Sequence, residues 1–171
     1  RTNMALTEKN RQIEQSIQYA EMIQRSVLSK PEDISKEFSD FFLIWRPKDV
    51  VGGDFYYFRK TEAGFFLGLG DCTGHGVPGA FMNLTAMAAL NHIVGSRPAM
   101  GPAAVLSALN QTLRETLKQD RFGELFDNGL DMGLCFVPDR SKEVCFAGAR
   151  IDLLYWEQND FQVLKGDRAS I

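Results

Sequence analysis

Two short segments each place an aspartate beside glycines at the end of an apolar strand. Asp54 follows a pair of glycines, and Asp71 ends an apolar run that begins at Gly64. Because glycine has no side chain, backbone carbonyl groups and water can approach a carboxylate closely there. Oxygen ligands of this kind are what Mg²⁺ and Mn²⁺ prefer. The pattern predicts that both aspartates bind a divalent metal ion; for Asp54 alone, a solvated aspartate in a bulged strand would explain the sequence equally well.

These segments resemble the two N-terminal metal motifs of the PPM superfamily, the Mg²⁺/Mn²⁺-dependent Ser/Thr protein phosphatases. The most similar branch is the bacterial SpoIIE-like one. Its pattern is a Gly-Gly-Asp-Tyr/Phe strand followed by Asp-x-x-Gly-His-Gly-x-Pro-x-Ala at the start of a helix. Residues 52–55 and 71–80 match this pattern. Further matches lie at 20–28, 129–135, 146–149 and 165–167, so the resemblance covers nearly the whole chain.

The resemblance implies an α+β fold, an αββα sandwich of two antiparallel sheets flanked by helices, with an N-terminal linker helix. It also implies a Mn²⁺- or Mg²⁺-dependent hydrolase of phosphoserine or phosphothreonine. Asp54 and Asp71 would be its catalytic residues and metal ligands in a two-metal site, joined by the backbone carbonyl of Cys72. The reaction would use activated water and form no covalent phospho-enzyme. His75 is expected to order its loop by hydrogen bonding, with a general-acid or substrate-phosphate-binding role as the alternative.

The resemblance also suggests partners and a location. The usual substrate in this branch is a phosphorylated anti-sigma-factor antagonist of the STAS type, which makes the enzyme the output of an upstream sensor domain. We therefore expect a cytoplasmic domain, including that of an inner-membrane sensor protein. Further family carboxylates, from a Thr-Asp-Gly and an Asp-Asp-x-Thr segment, are expected after Ile171. The alternative function is a catalytically inactive phosphatase-fold module that dimerises and binds its partner without turnover.

The composition excludes several other classes of protein. The net charge is −3 and the pI is near 5.4, which argues against nucleic acid as a partner because there is no basic surface to displace counterions. No apolar run approaches the roughly 20 residues that span a bilayer. The three cysteines have no disulfide-framework spacing, which favours free thiols in a reducing compartment.

The first 30 residues form a segment of their own, separate from the predicted phosphatase domain at 31–171. Leu6, Ile13, Ala20 and Val27 recur every seven residues, without any Gly or Pro between them. This heptad pattern predicts a linker helix that joins two copies of the chain as a parallel homodimer. The alternative is an amphipathic helix that packs on its own domain.

The remaining pattern alternates between strands and a helix pair. Helices are predicted at 78–94 and 102–118, where the scarcity of charge implies extensive burial. Strands are predicted at 38–45, 50–58, 64–71, 131–137, 143–147, 153–156 and 161–164. Asp131, Asp152 and Asp167 are interpreted as structural acids outside the site.

Two other ligand types fit the glycine-rich loop less well. Gly68, Gly70 and Gly74 imitate a dinucleotide-binding fingerprint, but no acidic residue follows between Asp71 and Glu115 to hold a ribose. The Cys72-x-x-His75 pair is only half of a zinc site.

Overall fold

The computed structural model describes residues 2–117, 129–141 and 143–171. The helices are α1 (Thr2–Val27), α2 (Pro31–Ile34), α3 (Gly76–Ser96) and α4 (Pro102–Leu117). The strands are β1 (Asp54–Lys60), β2 (Gly64–Cys72), β3 (Leu130–Pro138), β4 (Cys145–Ala149), β5 (Leu153–Glu157) and β6 (Asp160–Leu164). The predicted end of the second internal helix, Lys118, lies outside the described residues.

The strands form two antiparallel sheets. One has the order β1-β2-β3-β4, and the other is the hairpin of β5 and β6. The hairpin turns at Gln158 and Asn159, whose φ angles of 49° and 64° suit a two-residue hairpin turn. The predicted α+β class, with two antiparallel sheets, flanking helices and an N-terminal helix, is confirmed.

Helices α3 and α4 pack on each other and on the four-stranded sheet. Their buried residues include Leu90 and Leu109, which lie in one cluster with Phe66 and Leu134 of the sheet. Burying a leucine side chain contributes about 2 kcal/mol to the free energy of folding. The low charge of the two helices is thus explained by their position against the sheet.

The segment 38–45 is not a strand, contrary to the prediction. Its residues from 41 to 45 alternate between half-buried and exposed, as in an extended chain, but they have no strand partner among the described residues. Its rings instead pack onto the sheet: Phe38 meets Phe65 edge-on with centroids 5.3 Å apart, and Trp45 meets Tyr56 at 6.4 Å. Aromatic residues favour this packing as much as they favour strands.

Helix α1 packs on the domain through its last turns. Gln24 in α1 and Leu28, directly after it, are buried there, whereas Leu6 and Ile13 are 59% and 57% exposed. The helix ends at Val27, and Pro31 begins α2 instead of ending α1. The C-terminal turns of α1 therefore pack on the chain's own domain. Dimerisation through the N-terminal turns of α1 stays a prediction. No described helix, α1 included, is both long and apolar enough to cross a membrane.

Candidate metal centre

Three aspartates lie in one row across three neighbouring strands. The antiparallel register places Asp54 opposite Asp71 and Asp71 opposite Asp131. Directly opposed residues project their side chains from the same face of a sheet. The structure thus brings the two predicted metal ligands together. Asp131, which the sequence predicts to be a structural acid outside the site, lies in the same row because β2 pairs with β3.

The charges of the row act on one another. The pKa of Asp71 is raised by partial burial, then by the charge of Asp54 and a hydrogen bond with it, and finally by the charge of Asp131. Carboxylates that face one another in this way repel when both are ionised. A divalent cation between Asp54 and Asp71 would replace that repulsion with attraction.

Asp131 has its own charge partners. Ser170 Oγ donates a hydrogen bond of 2.8 Å to Oδ1 of Asp131, and Arg150 Nε lies 3.6 Å from Oδ2. Both carboxylate oxygens of Asp131 are therefore engaged by partners of their own. Across residues 2–117, 129–141 and 143–171, no three Asp, Glu, His or Cys side chains form a group that could hold a metal ion. The side-chain donors of the candidate centre are thus Asp54 and Asp71.

The Cys72 carbonyl lies against the glycine pair that precedes Asp54. A Cβ atom added to Gly53 would stand 2.4 Å from this oxygen, so only glycine permits the approach. The Cys72 side chain points into the core and is 1% exposed. Burial, with the nearby charges of Asp71 and Asp54, raises the pKa of its thiol to about 12.

These donors fit the expected metal. They are two carboxylates and a carbonyl at an open glycine backbone, all of them oxygen ligands suited to Mn²⁺ or Mg²⁺. The Cys72 side chain lies in the core cluster instead, which disfavours it as a ligand of the alternative zinc site.

Two buried or half-buried side chains hold the backbone of Asp54. Trp45 Nε1 and Asn83 Nδ2 each donate a hydrogen bond of 3.0 Å to the Asp54 carbonyl oxygen. Asn83 is completely buried in α3. Neither residue is among the sequence-predicted site residues, although an asparagine between the apolar residues Met82 and Leu84 of α3 was a usable signal.

The loop after Asp71 is held by hydrogen bonds and close glycine packing. His75 Nδ1 is 2.8 Å from Asp49 Oδ2, which agrees with the expected loop-ordering hydrogen bond. Gly74 and Gly76 have φ angles of 91° and 64°, which favour glycine. A Cβ atom on Gly79 would lie 2.5 Å from the Gly74 carbonyl oxygen, so the start of α3 packs directly on this loop. A contact of His75 with substrate remains a prediction.

Comparisons with known proteins identify the family of the chain. Residues 61–165 match the family model of stage II sporulation protein E (SpoIIE). The solved structure of the SiaA-PP2C domain of Pseudomonas aeruginosa is similar, with a TM-score of 0.79 and 36% sequence identity, over 95% of this chain and 64% of that one. This chain therefore spans less than two thirds of that domain's length. No curated protein sequence matches it. With the family model covering more than half of its residues, the chain belongs to the SpoIIE family of PP2C-like phosphatase domains.

Proposed function

We propose that this domain hydrolyses phosphoserine or phosphothreonine on a partner protein in a Mn²⁺- or Mg²⁺-dependent reaction. The observation that carries the proposal is the opposition of Asp54 and Asp71 across β1 and β2. Two facing carboxylates beside a glycine-bounded carbonyl are a costly arrangement without a cation. Because the chain belongs to a phosphatase family, the reaction that such a cation would serve is phosphate hydrolysis.

Each group would have a distinct task in the reaction. Asp54, Asp71 and the Cys72 carbonyl would hold the metal, which when bound polarises the phosphoryl group and activates water for its hydrolysis. Trp45 and Asn83 keep the Asp54 backbone in place through its carbonyl oxygen. The pair formed by His75 and Asp49 orders the loop that follows Asp71. Such fixed positions matter because a misplacement of about 1 Å at a reacting centre can cost on the order of 100-fold in rate.

We further propose a phosphorylated STAS-domain protein as the substrate, with an upstream sensor controlling the domain in the cytoplasm. This part rests on the SpoIIE-like motifs and on α1, whose exposed N-terminal turns suit a helical connection to another domain or a second copy. Homodimerisation through α1 belongs to the same proposal.

The test is a phosphatase assay of the full-length protein with p-nitrophenyl phosphate and a phosphoserine peptide. We expect turnover with Mn²⁺ or Mg²⁺ and none after EDTA treatment. Asp139→Asn is a suitable control for Asp71→Asn, because Asp139 lies in an exposed ion pair with Lys60, remote in sequence from the metal motifs. Undiminished turnover in EDTA would rule out the metal-dependent mechanism, and lack of turnover with any divalent metal would favour the inactive binding module.

A further inference from the structure

We infer that Gln24, near the end of α1, is a positioning residue for Asp54; the inference rests on the proposed function. The Gln24 side chain is completely buried. Its Nε2 donates a hydrogen bond of 2.6 Å to the Gly52 carbonyl oxygen, and the Gly52 N–H donates one of 3.2 Å to its Oε1. One side-chain amide thus satisfies both backbone groups of a residue two positions before the metal ligand.

This contact lies directly before β1. The backbone of Gly52 is buried, and a buried N–H or carbonyl group without a partner is destabilising. Gln24 supplies the two hydrogen bonds that a neighbouring strand would otherwise supply. The regular strand starts two residues after Gly52, at Asp54, whereas the sequence predicts a start at Val50.

A second contact runs beside the first. The guanidinium group of Arg25 lies over the Trp45 ring, 5.1 Å from its centroid, and Trp45 in turn donates to the Asp54 carbonyl oxygen. Neighbouring residues of α1 therefore reach Asp54 by two routes, Gln24 through Gly52 and Arg25 through Trp45.

The glycine pair has little freedom to absorb a shift of α1. Gly52 is held by Gln24 on one side, while Gly53 lies so close to the Cys72 carbonyl that a Cβ atom would meet it at 2.4 Å. Movement of Gln24 would therefore change the relative placement of Asp54 and the Cys72 carbonyl. An apolar residue such as Leu28 would suffice to dock α1 on the domain. The paired hydrogen bonds between Gln24 and Gly52 are what a positioning role requires.

The test compares three variants of the full-length protein. Gln24→Leu removes both hydrogen bonds with a side chain of similar size. Leu28→Ala weakens the docking of the same helix without touching Gly52, since Leu28 is buried in the main core cluster. Gln18→Leu makes the same chemical change as the first variant at an exposed position of α1. The readouts are the dissociation constant for Mn²⁺, measured from the electron paramagnetic resonance signal of free Mn²⁺, and the melting temperature.

We expect Gln24→Leu to weaken Mn²⁺ binding by about 10-fold or more, the range found when residues that orient metal ligands are changed. Leu28→Ala should lower the melting temperature and leave the Mn²⁺ affinity close to that of the unaltered protein. Gln18→Leu should change neither quantity. If Gln24→Leu does not fold, Gln24→Met offers a flexible apolar side chain of similar length for the same comparison.

Two results would overturn the inference while leaving the proposed function intact. One is an unchanged Mn²⁺ affinity in a folded Gln24 variant. The other is an equal loss of affinity in Gln24→Leu and Leu28→Ala, which would assign the effect to helix docking. Failure of the unaltered protein to bind Mn²⁺ would overturn the metal centre itself, and this inference with it.

Discussion

Asp54 and Asp71 are directly opposed partners of the β1–β2 register, and the charge of Asp54 helps to raise the pKa of Asp71. Like charges directly opposite each other destabilise a sheet. Two acids in this relationship, in adjoining glycine-rich segments, lower the stability of the metal-free fold. The same arrangement gives the fold the capacity to bind a cation.

Replacing Asp71 should stabilise the metal-free protein at neutral pH. The pKa of Asp71 is raised above its reference value of 3.8, so the folded state holds this proton more tightly than the unfolded state does. Stability contributed by Asp71 is therefore greatest below the reference pKa and declines as pH rises through the raised value. In EDTA, Asp71→Asn should melt a few degrees higher than the unaltered protein at neutral pH. The difference should shrink below about pH 4, and its persistence there would contradict this explanation.

With metal present, Asp71→Asn and Asp54→Asn should lower phosphatase activity. Each removes a carboxylate ligand, and we expect phosphatase activity to fall on the order of 100-fold or more. Mn²⁺ should raise the melting temperature of the unaltered protein but not that of either variant. An Asp71→Asn variant that keeps most of its activity would show that this carboxylate is not a ligand.

Gly53→Ala should disturb the site through the backbone. The new Cβ atom would stand 2.4 Å from the Cys72 carbonyl oxygen, so the two segments must separate. We expect a loss of about 1–3 kcal/mol in the free energy of unfolding, measured with urea, and weaker Mn²⁺ binding. Gly101→Ala is the control, because nothing lies within 4 Å of a Cβ atom there. Equal effects of the two substitutions would argue against a close approach at Gly53.

Cys72→Ala should leave metal binding nearly unchanged. The metal would use the backbone carbonyl, and the thiol is buried with its pKa raised to about 12. The variant should lose about 1 kcal/mol of stability, from the buried sulfur, and keep its Mn²⁺ affinity. In the unaltered protein, a thiol reagent should modify the exposed Cys145 well before Cys72. Loss of metal binding in Cys72→Ala would indicate that the Cys72 thiolate is a metal ligand.

The exposed half of α1 should hold two copies together. Leu6 and Ile13 are 59% and 57% exposed, so changing both to aspartate should spare the domain and abolish the dimer. The mass in solution, measured by light scattering after size exclusion, should fall by half. Gln15→Asp, at an exposed position outside the heptad seam, should remain dimeric. If the unaltered protein is monomeric at high concentration, the heptad pattern of α1 does not form a dimer.

The sequence by itself determined those features that depend on neighbouring residues. Scarcity of charge and proline-glycine boundaries placed α3 and α4, and alternation with turn residues placed β2, β3, β5 and β6 within a few positions. The glycines around Asp54 and Asp71 identified the candidate ligands for the same reason, since an aspartate beside glycine is a local chemical signal.

Only the tertiary structure decided which distant groups meet. The segment 38–45 has strand-like composition, but a strand needs a hydrogen-bonded neighbour that composition does not specify. Asp131 enters the row of acids through the β2–β3 register. Gln24 sits in the heptad pattern as an ordinary polar residue, yet the docking of α1 buries it against Gly52. Pairing register and helix docking arise from contacts between residues far apart in the chain, and local patterns carry no record of them.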